Sequence, residues 1–229
     1  MMFQAFKGMH DLGASGLRIL ETQLRQLGSF KDNLDVKVGE VKVSKEWIQA
    51  IEYSGDGRLL AVACHDSYIY VICSRTFSTK RVLKSHHSAV IGLDFSADSS
   101  FMRSVSTDEE LLYWDMESGK QVTSASSLRD TKWATTRCVL GWAVQGIWPK
   151  FSDKTDVNSC DRSKDGTLIA TGDDFHMVKI FKYPCVREQS NFKAYKGHSE
   201  HVPTVRFSAC GQYLYSVGGI DKAIIQFSV

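Results

Sequence analysis

The chain has 229 residues, enough for one sizeable hydrophobic core, and its 43% hydrophobic and 24% charged residues are typical of a globular protein. A net charge of +2 favours neither a nucleic-acid-binding protein nor a strongly acidic one. No apolar run approaches the roughly 20 residues that a membrane helix needs, and the N-terminus lacks the apolar core of a signal peptide.

The first 30 residues do not resemble the rest of the chain. Ser15 is placed to cap a short helix in which Leu17, Leu20, Leu24 and Leu27 share one face. We expect this helix to dock on the body of the protein; pairing with a partner helix is the alternative, although the stripe is short for a coiled coil. Residues 34–43 then alternate apolar and polar side chains, which predicts one or two exposed strands.

From residue 44 onward one pattern occurs four times. Each copy has a strand, a tight turn, a second strand, an aspartate and a third strand. The turns read SGDG, SADS, SKDG and SACG, and the opening strands begin at Ile48, Val90, Val157 and Val202. This is the pattern of a WD-type β-propeller blade, which must stack on its neighbours to bury its faces. We therefore predict an all-β protein with WD40-type blades over about residues 44–84, 86–125, 156–195 and 198–229.

Two copies carry the residues of a hydrogen-bonded chain that WD blades often bury. They are His86, Ser106, Asp108 and Trp114 in the second copy, and His198, Ser216 and Asp221 in the fourth, where Phe227 replaces the tryptophan. We expect these chains to bind blade to blade and not to catalyse, although they contain Ser, His and Asp. The first and third copies lack the histidine, so we expect their blades to rely more on packing.

The spacing breaks once, at an insert over residues 127–156 between the second and third copies. It contains Trp133, Trp142 and Trp148, and its CVLGWAV and GIWP runs look like strand segments that would extend a blade. A partner-binding surface is the alternative, because aromatic residues flanked by basic ones suit an interface. The candidate partner-binding residues are Arg129, Lys132, Arg137, Trp142, Trp148, Lys150 and Lys154.

The run TRCVLGWAVQGIWPKFSDKTDVNS, the run IATGDDFHMVKIFKYPC and the ending HVPTVRFSACGQYLYSVGGIDKAIIQF resemble the C-terminal propeller of the echinoderm microtubule-associated protein-like family. The resemblance covers roughly residues 38–229. It implies a cytoskeletal protein whose longer relatives carry two joined propellers, the first with a hydrophobic motif, and in some cases an N-terminal coiled coil. This chain resembles only the last blades of the second propeller.

The domain organisation that we expect is a non-repeat segment, residues 1–30, followed by a partial propeller, residues 31–229. Four copies and an extra N-terminal strand do not fill the seven-bladed ring that the resemblance implies, so we expect an incomplete ring or arc. The chain would then be a fragment or isoform, or would obtain its missing blades from another chain, or would be stabilised by a partner.

A catalytic function finds little support in the sequence. The pair His198 and His201 falls at a blade junction, the cysteines lack ligand spacing, and there is no glycine-rich phosphate loop. Asp173 and Asp174 read as a solvated acidic turn. We therefore expect no enzyme activity, no cofactor and no metal.

We expect a microtubule-binding cytoskeletal protein whose basic residues, including Lys193 and Lys196 in predicted loops, contact the acidic tails of tubulin. The alternatives are an adaptor that recruits signalling or ciliary proteins, and a truncated variant with little activity of its own. We expect no nucleic-acid or membrane partner. The six scattered cysteines, without a Cys-x-x-Cys pair, indicate reduced thiols and a place in the cytoplasm. The resemblance implies a place on microtubules of the cytoskeleton, including the spindle or ciliary axoneme.

Overall fold

A computed structural model describes residues 10–11, 17–22, 26–31, 37–150, 152 and 156–229. Within these ranges the chain forms 18 β-strands in five antiparallel sheets, and its helical segments are two short 3₁₀ turns, Ala125–Leu128 and Trp142–Ile147. None of the helical segments described is long and apolar enough to span a membrane. By its internal packing the chain divides into two units, residues 1–134 and 135–229.

The first unit contains three sheets, in which strands that follow one another in the chain are neighbours. Their strands are β1 His10–Asp11, β2 Leu17–Thr22, β3 Gln26–Lys31 and β4 Lys37–Lys42; β5 Ile48–Tyr53, β6 Leu59–Cys64, β7 Ile69–Cys73 and β8 Thr79–Leu83; and β9 Val90–Phe95, β10 Phe101–Ser106 and β11 Leu111–Asp115.

The second unit contains two sheets with the same up-and-down order. Their strands are β12 Val157–Arg162, β13 Leu168–Asp173, β14 Met177–Lys182 and β15 Phe192–Lys196; and β16 Thr204–Phe207, β17 Tyr213–Val217 and β18 Ile224–Ser228. Each of the four repeats found in the sequence forms one antiparallel sheet of three or four strands. The all-β class and the propeller-blade pattern are thereby confirmed.

The N-terminal helix predicted from the leucine stripe is wrong. Leu17 and Leu20 lie in β2 and Leu27 lies in β3, while Ser15 and Leu24 fall outside the described residues. Strands β2, β3 and β4 pair antiparallel, so this part of the chain is a sheet and not a helix followed by one or two strands. A leucine stripe of this length does not stabilise a helix alone, whereas the alternating β4 segment offers the preceding strands a backbone to pair with.

Strand β6 of the β5–β8 sheet is buried on both faces, which explains why it is continuously apolar. Ala61 and Ala63 of β6 belong to a buried cluster with Phe95 of the adjacent β9–β11 sheet. Leu60 and Val62 point to the opposite face and belong to a second cluster. Alternate residues of one strand therefore fill two different cores, as expected where sheets are stacked face to face.

In the second unit, side chains of β12 complete the hydrogen bonding of β16. Ser159 Oγ accepts a hydrogen bond from the Val205 N–H at 3.0 Å, and Asp161 Oδ2 accepts one from the Phe207 N–H at 2.8 Å. These are donors at the edge of the next sheet, which would otherwise be buried without a partner. The sheets also approach closely, because a Cβ added at Gly172 of β13 would lie 2.6 Å from the Val202 carbonyl oxygen.

The insert does not form the strand segments that the sequence suggested. Residues 142–147 form a 3₁₀ turn, and its backbone is paired with the segment after β14: the Gly146 N–H donates to the Cys185 carbonyl, and the Cys185 N–H donates to the Ala143 carbonyl, both at 2.8 Å. Gly141, immediately before this turn, has a φ of 136°, which favours glycine at this position. Cys138, Val139 and Val144 of the CVLGWAV run are buried and Trp142 is exposed, in a turn and not in a blade strand.

Replacement of Gly172 by alanine tests the close approach of the two sheets. We expect Gly172→Ala to lower the free energy of unfolding by about 1–3 kcal/mol, because the added methyl must displace backbone at Val202. Chemical denaturation measures this. The control Ala194→Ser adds one heavy atom to the exposed strand β15 and should change stability by less than about 0.5 kcal/mol. Equal stability of both variants would contradict the close approach.

Candidate functional site

The second repeat contains a buried hydrogen-bonded chain, but two of its members differ from those expected. Trp114 Nε1–H donates to Ser104 Oγ at 2.8 Å, and His86 Nε2 lies 2.6 Å from the same oxygen. His86 Nδ1 faces Glu110 Oε2 at 3.2 Å. The predicted Ser106 and Asp108 are therefore replaced in the chain by Ser104 and Glu110.

The register of the strands explains this correction. Ser104 lies opposite Leu112, two residues from the pair Met102 and Trp114, so its hydroxyl shares a face with the indole. Ser106 lies beyond a bulge at the end of β10, and its hydroxyl donates to Asp108 Oδ1 at 2.5 Å within the turn.

In the fourth repeat the predicted residues lie together. His198 Nε2 lies 2.7 Å from Ser216 Oγ, and His198 Nδ1 lies 2.9 Å from Asp221 Oδ2. Asp221 also accepts hydrogen bonds from the N–H groups of Ser199 and Ala223. The hydrogen bond from the Ala223 N–H holds the pKa of Asp221 below its usual range, and the neighbouring His198 contributes in the same direction to a smaller extent. The small desolvation of the carboxyl acts in the opposite direction.

The first and third repeats use other polar groups where the histidine is missing, so packing alone does not hold them. In the first, Ser44 and Tyr70 both donate to Asp66 Oδ2, at 2.6 and 2.7 Å. In the third, Asp173 is 1% exposed and its carboxylate lies 2.6 Å from Lys179 Nζ. The solvated acidic turn expected at Asp173 is therefore wrong.

The Ser–His–acid arrangements are inaccessible to a substrate. Ser104 and Ser216 are fully buried, and His86 and His198 are 6% and 7% exposed. Ser104 Oγ, moreover, already has two partners, the indole of Trp114 and the imidazole of His86. A hydroxyl that acts as a nucleophile needs a substrate within reach, which neither serine has.

Trp133, at the start of the insert, covers a buried ion pair. Arg103 donates to Asp94 Oδ2 at 2.9 Å, and both side chains are almost completely buried. The Trp133 ring lies 4.7 Å from the Arg103 guanidinium and 6.1 Å from the Tyr113 ring. Its backbone forms a bridge to Ser96. This tryptophan packs on its own unit, as a structural role would require.

The candidate partner-binding residues of the insert occupy different environments. In the first unit, Arg129 and Lys132 are exposed. In the second, Trp142 is 68% exposed and Lys150 is exposed.

Of the other three candidates, two are less suited to contact a partner, and one lies outside the described residues. Arg137 is half-buried, with its Nε 3.8 Å from Asp161 Oδ1. Trp148 is also half-buried and donates to the Val139 carbonyl at 3.1 Å. Lys154 lies outside the described residues.

The sequence analysis did not identify one exposed basic strand. Lys193 and Lys196 were expected in loops, but both lie on β15, the outermost strand of its sheet, where all five residues are exposed. Phe192 and Tyr195 of this strand are 51% and 37% exposed. We call residues 192–196 the β15 surface. The run FKAYK, basic and aromatic without an acidic residue, was the available signal.

Comparison with known proteins connects this architecture to one family. The family described as "Echinoderm microtubule-associated protein second beta-propeller" matches residues 27–229. The 77 kDa echinoderm microtubule-associated protein of Lytechinus variegatus is 43% identical over 204 residues, which are 86% of this chain and 31% of that protein. Echinoderm microtubule-associated protein-like 3 of Mus musculus is 38% identical over 216 residues, 92% of this chain and 23% of that protein. The chain thus spans less than a third of the length of these relatives.

Replacement of the central serine tests the buried chain of the second repeat. Ser104→Ala leaves His86 and the Trp114 indole without their partner, and we expect it to cost about 1–3 kcal/mol of stability. Ser216→Ala removes the partner of His198 alone and should cost less. The control Ser124→Ala, on an exposed hydroxyl, should change stability by less than about 0.5 kcal/mol. Urea unfolding measures the stability of all three variants. Equal losses of stability in Ser104→Ala and Ser124→Ala would contradict the buried hydrogen-bonded chain of the second repeat.

The lowered pKa of Asp221 makes its contribution to stability depend on pH. Because the folded state binds this carboxyl's proton less tightly than the unfolded state, the contribution is present above its unfolded pKa of about 3.9 and is lost as pH falls through the folded pKa. We expect Asp221→Asn to be less stable than the parent at pH 7, and the difference to shrink below about pH 4. Urea midpoints across this range measure it, with Asp130→Asn as an exposed control. A difference that does not change with pH would contradict the assignment.

Proposed function

The chain belongs to the echinoderm microtubule-associated protein-like family, and from that premise we propose that it is a non-catalytic WD-repeat protein that binds microtubules in the cytoskeleton. The family match, which extends from residue 27 to residue 229, is the observation that carries the proposal. The buried Ser–His–acid arrangements support a binding role over a catalytic one, since no substrate can reach their hydroxyl groups.

The β15 surface is the part of the second unit that best suits an acidic partner. Its two lysines are three positions apart on an edge strand, so they point to opposite faces of the sheet, each beside one exposed aromatic ring: Tyr195 beside Lys193, and Phe192 on the face of Lys196. Tubulin carries acidic tails, and the attraction between exposed charges steers such a partner at low ionic strength. At physiological salt the Debye length is about 8 Å, so this attraction is short-ranged and salt-sensitive.

Charge reversal on the β15 surface tests the proposal. We expect the full chain to pellet with microtubules at low salt and to dissociate as salt is raised. Lys193→Glu together with Lys196→Glu should weaken pelleting by about tenfold or more, because like charges then face the partner. Cosedimentation over a range of microtubule concentrations measures this.

The matched control changes the net charge by the same amount elsewhere. Lys80→Glu with Lys120→Glu reverses two exposed lysines of the first unit. Loss of binding in both double variants would indicate a net-charge effect and contradict the assignment to β15. Absence of pelleting by the parent chain at low salt would contradict direct microtubule binding altogether.

An adaptor function is the second candidate, and the exposure of Trp142 favours it. A tryptophan that is 68% exposed on a 3₁₀ turn is suited to be a central contact of a protein interface. Under this alternative Trp142→Ala would remove a protein from pull-downs, and depolymerised microtubules would leave the set of partners unchanged. Under the leading proposal, depolymerisation removes the partners that reach the chain through microtubules.

A further inference from the structure

The β15 surface offers a backbone edge as well as its two lysines. Strand β15 pairs with β14 on one side, and no described strand pairs with its other side. The pairing of Phe192–Lys196 with β14 contains no bulge, and all five residues are exposed. A regular, exposed edge of this kind is a template for one more strand.

The hydrogen bonds of β14 show which of its backbone groups face β15. In an antiparallel ladder a residue bonds through its N–H and C=O to one neighbouring strand, and successive residues alternate between the two neighbours. The Tyr183 N–H, one position past β14, donates to the Thr167 carbonyl just before β13, at 2.8 Å. Since β14 has no bulge toward either neighbour, the backbone groups of Val178 and Ile180 are directed to β15.

The same alternation fixes the orientation of β15. The residues opposite Val178 and Ile180 are Tyr195 and Lys193, respectively. Their backbone groups therefore bond to β14, and those of the other three residues point away from the sheet. The outward N–H and C=O groups belong to Phe192, Ala194 and Lys196.

The charge of this edge selects the kind of strand that can be added. Strand β15 contains two lysines and no acidic residue. Lysines on an edge repel a second basic strand, so pairing with another copy of β15 is disfavoured. Residues directly opposite one another on paired strands have Cβ atoms about 4.5–5.5 Å apart, and opposite charges there are stabilising. An acidic segment is therefore the strand that fits.

The outer strands of three other sheets lack this combination. Strand β8 has a bulge in its pairing with β7, and its Arg81 donates to the carbonyls of Met116 and Glu117 after β11. The outer side of β11 forms a bridge from Trp114 to Gln121. Strand β18 carries no charged residue.

We propose that an acidic peptide segment binds β15 as an added antiparallel strand, with carboxylates three positions apart opposite Lys196 and Lys193. This inference rests on the proposed function, because it names how the acidic tail of tubulin is held at the β15 surface. Main-chain hydrogen bonds to the outward groups of β15 contribute affinity, and the lysines set the spacing. Since alternate side chains point to opposite faces, acids two positions apart reach only one lysine.

Synthetic peptides test the spacing and the backbone pairing on the parent chain. The probe is a fluorescent threonine peptide of about eight residues with two glutamates three positions apart, because threonine favours strands. Fluorescence anisotropy measures its affinity. The isomer with glutamates two positions apart should bind about threefold or more weakly, because it meets one lysine only.

N-methylation of the peptide tests the direction of its hydrogen bonds. Of the two threonines between the glutamates, the first lies opposite Tyr195 and the second opposite Ala194 in the antiparallel arrangement. N-methylation of the second should weaken binding by about tenfold or more, because its N–H faces β15. N-methylation of the first should leave the affinity unchanged, because its N–H faces solvent.

A proline in β15 makes the corresponding change on the protein. Ala194→Pro removes an outward N–H, keeps both lysines, and is compatible with an edge strand whose N–H faces solvent. We expect it to weaken both peptide binding and pelleting with microtubules by about tenfold or more. Ala194→Ser retains the N–H and should bind at least about tenfold more tightly than Ala194→Pro. Circular dichroism shows whether each variant is folded.

The control variant is Val82→Pro, on the edge strand β8 of the first unit. The Cys64 N–H donates to the Tyr68 carbonyl, so Tyr70, two positions further, also bonds to β6. Val82 lies opposite Tyr70, and its N–H therefore points outward as that of Ala194 does. Val82→Pro should leave peptide binding and pelleting unchanged.

The outcomes separate strand addition from the proposed function. Pelleting that is lost in Lys193→Glu with Lys196→Glu but kept in Ala194→Pro would overturn strand addition and support the proposed function. Equal effects of the two N-methylations, or no peptide binding by the parent chain, would also overturn strand addition. The expected peptide results without pelleting of the parent chain would support strand addition by acidic segments and contradict microtubule binding.

Discussion

Face-to-face burial of neighbouring sheets is the constraint on which each unit depends. The β5–β8 sheet has no solvated face along β6, since alternate residues of that strand enter two different clusters. A three- or four-stranded sheet cannot bury its apolar residues alone, so each blade is stable only with a neighbour on each face. This explains why the small residues Ala61, Ala63 and Gly172 lie in buried contacts between neighbouring sheets, where added volume is poorly tolerated.

Hydrogen bonds of polar side chains fix positions that apolar packing alone would leave variable. Apolar contacts alone permit neighbouring sheets to slide, whereas a hydrogen bond fixes one position. Ser159 and Asp161 supply such fixed points between β12 and β16. The Trp114–Ser104–His86 chain acts within one repeat, where it ties the segment before β9 to β10 and β11. The repeats without histidine have other polar contacts within the repeat, through Asp66 or Asp173.

The sequence was sufficient for the class of fold, because period-two apolar runs and Ser-Asp-Gly turns are local signals. It failed where a residue's role depends on register or on distant backbone. Ser104 and Ser106 are equivalent in the sequence, and only the pairing of Ser104 with Leu112 and the bulge before Ser106 decide between them. The leucines near residue 20 have the spacing of a helix face, but pairing of β2 with β3, and of β3 with β4, outweighs this local signal. Exposure of β15, too, is set by its place at the edge of a sheet.

Departures from the repeat therefore mark the positions where this chain differs from a generic blade. A regular WD blade places one acid against its histidine, as His198 and Asp221 do. In the second repeat, Glu110 occupies that place and leaves Asp108 on the surface beside His87. The longer glutamate side chain reaches the buried imidazole from a position two residues further along the turn. The contact between histidine and acid is therefore kept, although the acid occupies a different position in the repeat.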